Sequence, residues 1–523
     1  MNAKPRGIRQ TMSDLHIWTG LLVSWILYAI FLTGTVSYFR DEISVWMRPE
    51  LPAASHPSAA PELAQRMIDA MSKTHAPGGT MWSIRLPTPR DPTVFVFWRD
   101  ESGFASATLD PASGARVSAR DTKGGDFFFS FHFNLHYIPR LWGRWIAGVS
   151  AMFMLVAIVS GVITHKKIFT DFFTFRWGKG QRSWLDGHAA LSVLGLPFHF
   201  MVTYSGLVTL MVLYMPWGMQ SVASPEIQAA VTNEIRFKLP APEPHGAVTA
   251  LTAIAPLVQQ AEARWGRGSV RSVEITKSAD NGARVAITQA QSRRVSTTPR
   301  YLVFDGVSGE LVTAKEHSGP AAETQGVFYG LHMGRFADLM TRWLYFLSSL
   351  AGTTMIASGL VLWTVKRRTK LADPQRPYFG FRLVERLNIA TIAGLPFAMA
   401  GMLWANRLLP LNVPGRAECE IHLFFILWAL MLFHAALRPP KRAWVEQFLA
   451  TAAALALLPA LNLLTTTRGL PGSLTSGDFL FAGFDLALLA LAATSLEIAR
   501  RTARHQPRQA KKRRRAGSVG EAT

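Results

Sequence analysis

The sequence predicts an all-α membrane core, a four-helix unit plus four extra C-terminal transmembrane helices, with two small α+β domains inserted in a tandem repeat. Three observations predict it. Apolar residues fall in runs of about 20, the length that crosses a bilayer, rather than at amphipathic spacing. Basic residues gather in alternate loops, and residues 14–365 read as one arrangement written twice. With 523 residues, 49% of them hydrophobic, the chain is too long for one compact domain.

Eight stretches are long and apolar enough to span: 16–39, 142–164, 187–215, 342–365, 388–406, 421–437, 445–465 and 478–498. The net charge of +21 is unevenly placed. Lys4, Arg6 and Arg9 precede the first span, and Lys166, Lys167, Arg176, Lys179 and Arg182 follow the second. Lys366, Arg367, Arg368 and Lys370 follow the fourth, and Lys441 and Arg442 the sixth. The positive-inside rule puts these loops, both termini and the tail from Arg500 to Arg515 in the cytoplasm. That tail reads as a stop signal touching anionic membrane lipid, so no nucleic-acid partner is expected. Cys419 is the one cysteine, which excludes intrachain disulfides, thiolate-held iron–sulfur clusters and covalent haem attachment. The first apolar run has no small-residue cleavage site before Tyr38 and is expected to remain as an anchor.

The repeat organises the rest. His16 opens the first span and lies 18 residues before Gly34 of Thr33-Gly34; His188 opens the third and lies 18 before Gly206 of Ser205-Gly206. Leu135-His136 precedes the second span, which contains Ser160-Gly161, and Leu331-His332 precedes the fourth, which contains Ser358-Gly359, at intervals of 25 and 27. Two polar inserts, about 40–130 and 216–328, lie between the paired spans. Each opens with a helix-like stretch, 61–73 and 247–265, and continues with alternating strands such as 93–98 and 284–289. Each ends on a turn, Asp110-Pro111-Ala112-Ser113-Gly114 and Asp305-Gly306-Val307-Ser308-Gly309, set 26 and 27 residues before His136 and His332. The expected units are a first repeat at 10–165, a second at 186–366, a four-helix extension at 385–498 and a basic tail at 499–523.

These markers, and above all Leu331-His332-Met333-Gly334-Arg335-Phe336 leading to Ser358-Gly359-Leu360-Val361-Leu362-Trp363, resemble the PepSY-associated transmembrane helix family over residues 10–366. The resemblance implies a bacterial inner-membrane protein linked to iron uptake, with PepSY-like periplasmic inserts, similar to haem-containing ferrisiderophore reductases. The last 150 or so residues fall outside it.

Ionisable residues inside a bilayer are usually functional, and neutral imidazoles on helices flanking a porphyrin are the donors b-type haem needs. His16 and His188 are symmetry-related at the cytoplasmic level, and His136 and His332 at the outer level, so each pair is expected to clamp one iron of a two-haem relay. Two further histidines keep the pairing open. His199, 11 residues on, shares the face of His188 three turns deeper and would serve a second haem; His165 would replace His16 as partner of His188. His132, one turn before His136, is a fallback ligand or propionate contact; His422 and His434 read as structural. Arg140, Arg144 and Arg335 stand near the outer histidines, where a guanidinium pairs with a propionate or anchors the interface. Phe127, Phe128, Phe129, Phe131, Phe133 and Tyr137 are expected around the outer site.

No Gly-x-Gly-x-x-Gly after a strand, Walker sequence or His-Glu-x-x-His is present, so electrons are expected from quinol or a separate cytoplasmic reductase. The expectation is a haem-dependent ferric reductase that takes a periplasmic ferric siderophore or other ferric chelate. The alternatives are a membrane scaffold or regulator that binds a partner through its inserts, and a transporter component. No carboxylate buried in a helix is evident for ion coupling.

Overall fold

The computed structural model describes residues 7–53, 59–76, 79–165, 176, 178–237, 239, 250–277 and 282–505. Lys4, Arg6, Lys166, Lys167 and the run Lys511 to Arg515 lie outside them. Lipid offers the backbone no partners, so each apolar run must close its own hydrogen bonds and forms a helix. The first is α1 (Ile8–Ser37), followed by α2 (Arg40–Trp46) at the base of the first insert. That insert holds α3 (Ala60–Ala70), β1 (Met81–Arg85), β2 (Val94–Asp100) and β3 (Gly103–Leu109). The chain returns through α4 (Gly125–Asn134) and the spanning α5 (Arg140–Thr164).

The third expected span is not one straight helix: α6 (Gln181–Leu194) and α7 (Leu196–Thr209) meet at 67°. Gly195 sits at the joint, and Pro197, with no N–H to give, occupies the first turn of α7. His188 and His199 therefore lie on either side of a bend and do not share one face, which corrects the straight-helix expectation.

The second insert repeats the pattern with α8 (Ile254–Trp265), β4 (Val270–Lys277), β5 (Ala283–Gln289), β6 (Tyr301–Asp305) and β7 (Leu311–Lys315). Residues 247–249 of the helix expected there lie outside the described residues. Then come α9 (Pro320–Met333) and the spanning α10 (Leu339–Arg368). The extension consists of α11 (Phe379–Ile392) and α12 (Gly394–Leu408), which together make one span, then α13 (Arg416–Leu437), α14 (Pro440–Thr465) and α15 (Phe479–Arg504). With the bent pair counted as one, the described residues hold eight spans, and the chain is a multi-pass membrane protein.

The two inserts share one sheet and one core. Their strands form one antiparallel sheet in the order β3-β2-β1-β4-β5-β6-β7, joined by β1 against β4 from Met81↔Thr276 to Arg85↔Ser272. One core of Trp82, Ile84, Val96, Leu257, Val273 and Phe304 serves both halves, and the Gln65 side chain of α3 accepts the Ile254 N–H at the start of α8 (2.6 Å). The matched turns are built alike. Asp110 Oδ1 accepts from Ala112 and Ser113 N–H (2.8 and 2.7 Å), Asp305 Oδ1 from Val307 and Ser308 N–H (2.9 Å each). Gly114 and Gly309 follow at φ 71° and 77°, which L side chains avoid.

Burial alone would raise the Asp305 carboxyl, but the two N–H bonds and the buried Arg284 guanidinium outweigh it and hold the group down to about 2. Because the folded value is depressed, this stabilisation is complete above the ordinary aspartate range, about pH 4, and is lost as pH falls through about 2. Asp305→Asn is expected to cost about 1.5–3 kcal/mol at neutral pH. Hydrogen–deuterium exchange across β5 and β6 should read faster opening in the variant, with the difference from wild type shrinking as pH drops below 4.

Candidate functional site

Four histidines occupy equivalent positions around the four-helix core, each bonded to a helix carbonyl through Nδ1. His16 donates to Ala157 O (2.8 Å) and His188 to Met355 O (3.0 Å) at one end of the core. His132 donates to Ile30 O (2.6 Å) and His332 to Val202 O (2.9 Å) at the end that carries the sheet. Each carbonyl belongs to the residue four before a glycine: Gly161, Gly359, Gly34 and Gly206. A Cβ on those glycines would fall 3.2, 3.2, 2.7 and 2.8 Å from the corresponding ring. A carbonyl only accepts, so Nδ1 carries the proton and Nε2 keeps its lone pair.

The rings face each other in two pairs. His16 and His188 have centroids 6.2 Å apart, His132 and His332 6.0 Å. Two imidazoles sharing one iron, with each nitrogen about 2 Å from the metal and each ring centre about 1 Å behind it, have centres about 6 Å apart. Donor type, tautomer and spacing fit a haem that either pair would hold between its two imidazoles, with Nδ1 fixed in the manner of metal-bound imidazoles. Burial, with a smaller push from His132, lowers the His332 imidazole to about 4, and burial also lowers His132; both stay neutral at physiological pH. The first and last of these landmarks on α1, His16 and Gly34, are 18 residues apart, about 27 Å along a helix. Nearly the whole hydrocarbon thickness of about 30 Å separates the pairs.

A cavity of about 1930 Å³ opens between the sheet and the bundle. Its lower wall is apolar, with Leu27, Ile30, Phe31, Met154, Val202 and Leu207, and His132 and His332 face into it. Its upper wall carries most of its charge. Twelve arginines and no lysine line the cavity, against five aspartates and one glutamate. Arg144, bonded to Asn134 Oδ1 (2.9 Å), and Arg335, bonded to Gln291 Oε1 (3.1 Å), are among them; Arg140 is not.

The remaining expected residues sort as follows. The outer partner of His332 is His132 and not His136. Helix α4 ends at Asn134, so His136 lies beyond it in a turn whose neighbours Leu135 and Tyr137 adopt φ 55° and 58°, and its ring stacks on Phe425 of α13 (5.4 Å). The partner of His188 is His16; His165 closes α5, its backbone N–H on Gly161 O (3.1 Å). His199 is packed between Gly195 and Gly352, its Nε2 donates to Ser348 O (3.2 Å), and among the described residues no second histidine ring faces it. The aromatic cluster divides by helix face. Phe127, Phe128 and Phe131 pack on Phe424 of α13, whereas Phe129 and Phe133, with His132, turn to the cavity. Tyr137 O–H meets His422 Nδ1, and His434 Nε2 meets Glu446 (2.9 Å).

The sequence profile of the PepSY-associated TM region family matches residues 13–366, and the chain belongs to that family. No curated protein matches it.

Outside that match, the extension holds buried charge that inspection of its apolar runs missed. Glu420 of α13 and Asp485 of α15 are fully buried carboxylates, contrary to the expectation that none lies within these helices. Glu420 pairs with Arg416 and accepts from Asn406 Nδ2 (2.8 Å) and Thr122 Oγ1. Asp485 accepts from Trp46 Nε1 (3.0 Å) and Asn462 Nδ2 (3.2 Å), and Arg407 bonds Asn462 Oδ1 (3.1 Å) with its guanidinium 3.8 Å over the Trp46 ring. Both carboxylates sit near the sheet end of their helices. Each spans from the extension to the first repeat, so no periodicity within one run could reveal it. Removing one partner of a buried ion pair costs about 3–5 kcal/mol, so Glu420→Leu, which leaves the buried Arg416 without its carboxylate, should lower the thermal unfolding midpoint in detergent by several degrees. The exposed pair Arg501–Glu497 is the control: Glu497→Leu should shift it little.

Proposed function

We propose that this PepSY-associated membrane protein carries electrons across the bilayer through two b-type haems and delivers them to a ferric chelate at the sheet side. The observation that carries the reading is the fourfold repetition of one imidazole geometry, in two facing pairs, at opposite ends of the core. Haem at each pair would supply one-electron transfer. The chain's own residues do the rest. His16 and His188, His132 and His332 present Nε2 lone pairs fixed by their Nδ1 bonds, and the glycine faces leave room for the rings. Arg144 and Arg335 provide guanidinium forks at the mouth of the outer pair for carboxylates such as propionates. The apolar lower wall excludes water from the macrocycle's place.

The charge pattern supports an inner-membrane orientation with both termini in the cytoplasm and the sheet in the periplasm. Electrons then enter near His16 and His188 from quinol or a cytoplasmic reductase. A ferric siderophore or similar chelate accepts one electron near His332, and the ferrous product, held less well by hard oxygen donors, is released.

Dithionite-reduced minus oxidised spectra with a pyridine haemochrome assay should count two b-type haems per chain. His132→Ala and His332→Ala should each remove one, His16→Ala and His188→Ala the other, while His136→Ala keeps both. Gly206→Ala, whose methyl would press on His332, should perturb the outer signal alone. A haem-free protein from haem-replete cells, or a His136 variant that loses haem where the His132 variant does not, would sink the assignment.

A further inference from the structure

We propose that the roof of the cavity, where β1 meets β4, binds a polyanionic, carboxylate-rich ferric chelate through Arg85 and Arg271. The proposal deepens the reading of the chain as a ferric-chelate reductase and rests on it for the metal, not for the site. Arg85 ends β1 opposite Ser272, and Arg271 precedes that serine on β4, so the two repeats bring one arginine each to their seam. Both line the cavity.

Four of the other ten lining arginines are answered by carboxylates. Arg40 pairs with Asp126, Arg120 with Glu50 (2.7 Å), Arg342 with Glu42, and Arg90 with Glu42 (2.8 Å) and Asp41 (3.2 Å). At the seam, among the described residues, no carboxylate pairs with either guanidinium. Arg271 spends one N–H on Leu86 O (3.0 Å), and Arg85 lies over the Phe95 ring (5.2 Å). Burial lowers Arg271 to about 10, and the nearby charges of Arg85 and Arg335 push the same way against Asp91 and Asp41. Glu274 is the carboxylate of the adjoining strand face; burial pushes it upward, toward the neutral form, and outweighs the opposing pull of the Arg85 charge. Like charges held together in a partly desolvated place stabilise an anion that arrives there.

Size and residue type narrow the anion. A single small-ligand site takes about 300–1000 Å³, and this cavity holds about 1930 Å³, so the roof is room beyond what one macrocycle beside the histidines fills. Arginine without lysine marks planar, two-pronged recognition, which suits carboxylates better than a point charge does.

The test uses the full chain in phosphatidylcholine nanodiscs and gallium(III) citrate, which binds as a ferric citrate would but takes no electron. Arg85→Gln and Arg271→Gln are each expected to weaken binding about tenfold or more, Arg271→Lys less than Arg271→Gln, with haem absorbance unchanged. Affinity should fall as salt rises, and a gallium trihydroxamate without carboxylates should be insensitive to both variants. Equal affinity in wild type and double variant would overturn the proposal. So would loss of haem from the double variant, which would give these guanidiniums to propionates. Loss of citrate binding when phosphatidylglycerol is added would assign the roof to a lipid headgroup and overturn it as well. Arginine-dependent gallium citrate binding by a haem-free protein would remove the reductase reading and keep this site; two haems with no citrate binding would do the reverse.

Discussion

The core depends on a hydrogen bond from an imidazole to a helix carbonyl that a side chain would normally cover. In an α-helix each Cβ leans over the turn before its own Cα, so the residue at i+4 shields the carbonyl at i. Glycine at i+4 removes that cover, and the carbonyl, already serving an amide, offers its second lone pair to an incoming ring. This happens at Gly34, Gly161, Gly206 and Gly359, and a histidine from a neighbouring helix reaches the uncovered oxygen each time. The bond fixes the ring plane, the tautomer and the direction of Nε2 together. It also draws the helices close, since α1 gives a histidine to α5 and takes one from α4.

The same twofold logic governs the extramembrane part. Pairing β1 with β4 makes the seven-stranded sheet continuous, so the two repeats are tied both above and within the bilayer. A sheet continuous across the seam holds a fixed roof over the outer pair, and charge there is not averaged by independent domain motion. Arginines from both repeats line one cavity while apolar side chains line its floor, which separates an apolar region from a basic one.

The eight spans, the repeat and the His16–His188 relation were legible because each rests on local pattern: apolar length, spacing of a histidine from a glycine, and the Asp-x-x-Ser-Gly turn. At the outer end the ring that faces His332 is not the one the letters suggest, because Leu135-His136 mimics Leu331-His332 while the helix ends differently: α4 stops at Asn134, whereas α9 runs through His332 to Met333. The spacing from each histidine to its span's glycine is 29 for His132 and 27 for His332, so alignment on the dipeptide favoured His136 over the residue that faces His332. The bend at Gly195 was signalled by Gly-Leu-Pro-Phe, yet the same four letters at 394–397 leave one continuous span, so the motif alone does not decide. The Trp46–Asp485 and Thr122–Glu420 bonds join residues more than 290 positions apart, and no feature of either segment announces its partner.

Those long-range bonds explain what the extension does for the core. The N–H of Gly124, just before α4, bonds Thr122 Oγ1 (3.0 Å), and that hydroxyl in turn donates to Glu420 of α13. At the other end of α4 the turn with two left-handed residues is held by His136 on Phe425 and Tyr137 on His422, again from α13. Such backbone costs about 1–3 kcal/mol per residue and persists only where surrounding contacts impose it. The helix that carries His132 is thus braced at both ends by α13. Among the described residues the second repeat shows no such brace and uses its own insert: Glu234 of the helix Pro225–Ile235 accepts the Gly319 N–H (2.5 Å) at the start of α9, and Gly334 takes the left-handed position after it without strain. Equivalent histidines are therefore positioned by unrelated means. Symmetry is kept at the rings and given up in the scaffolding around them.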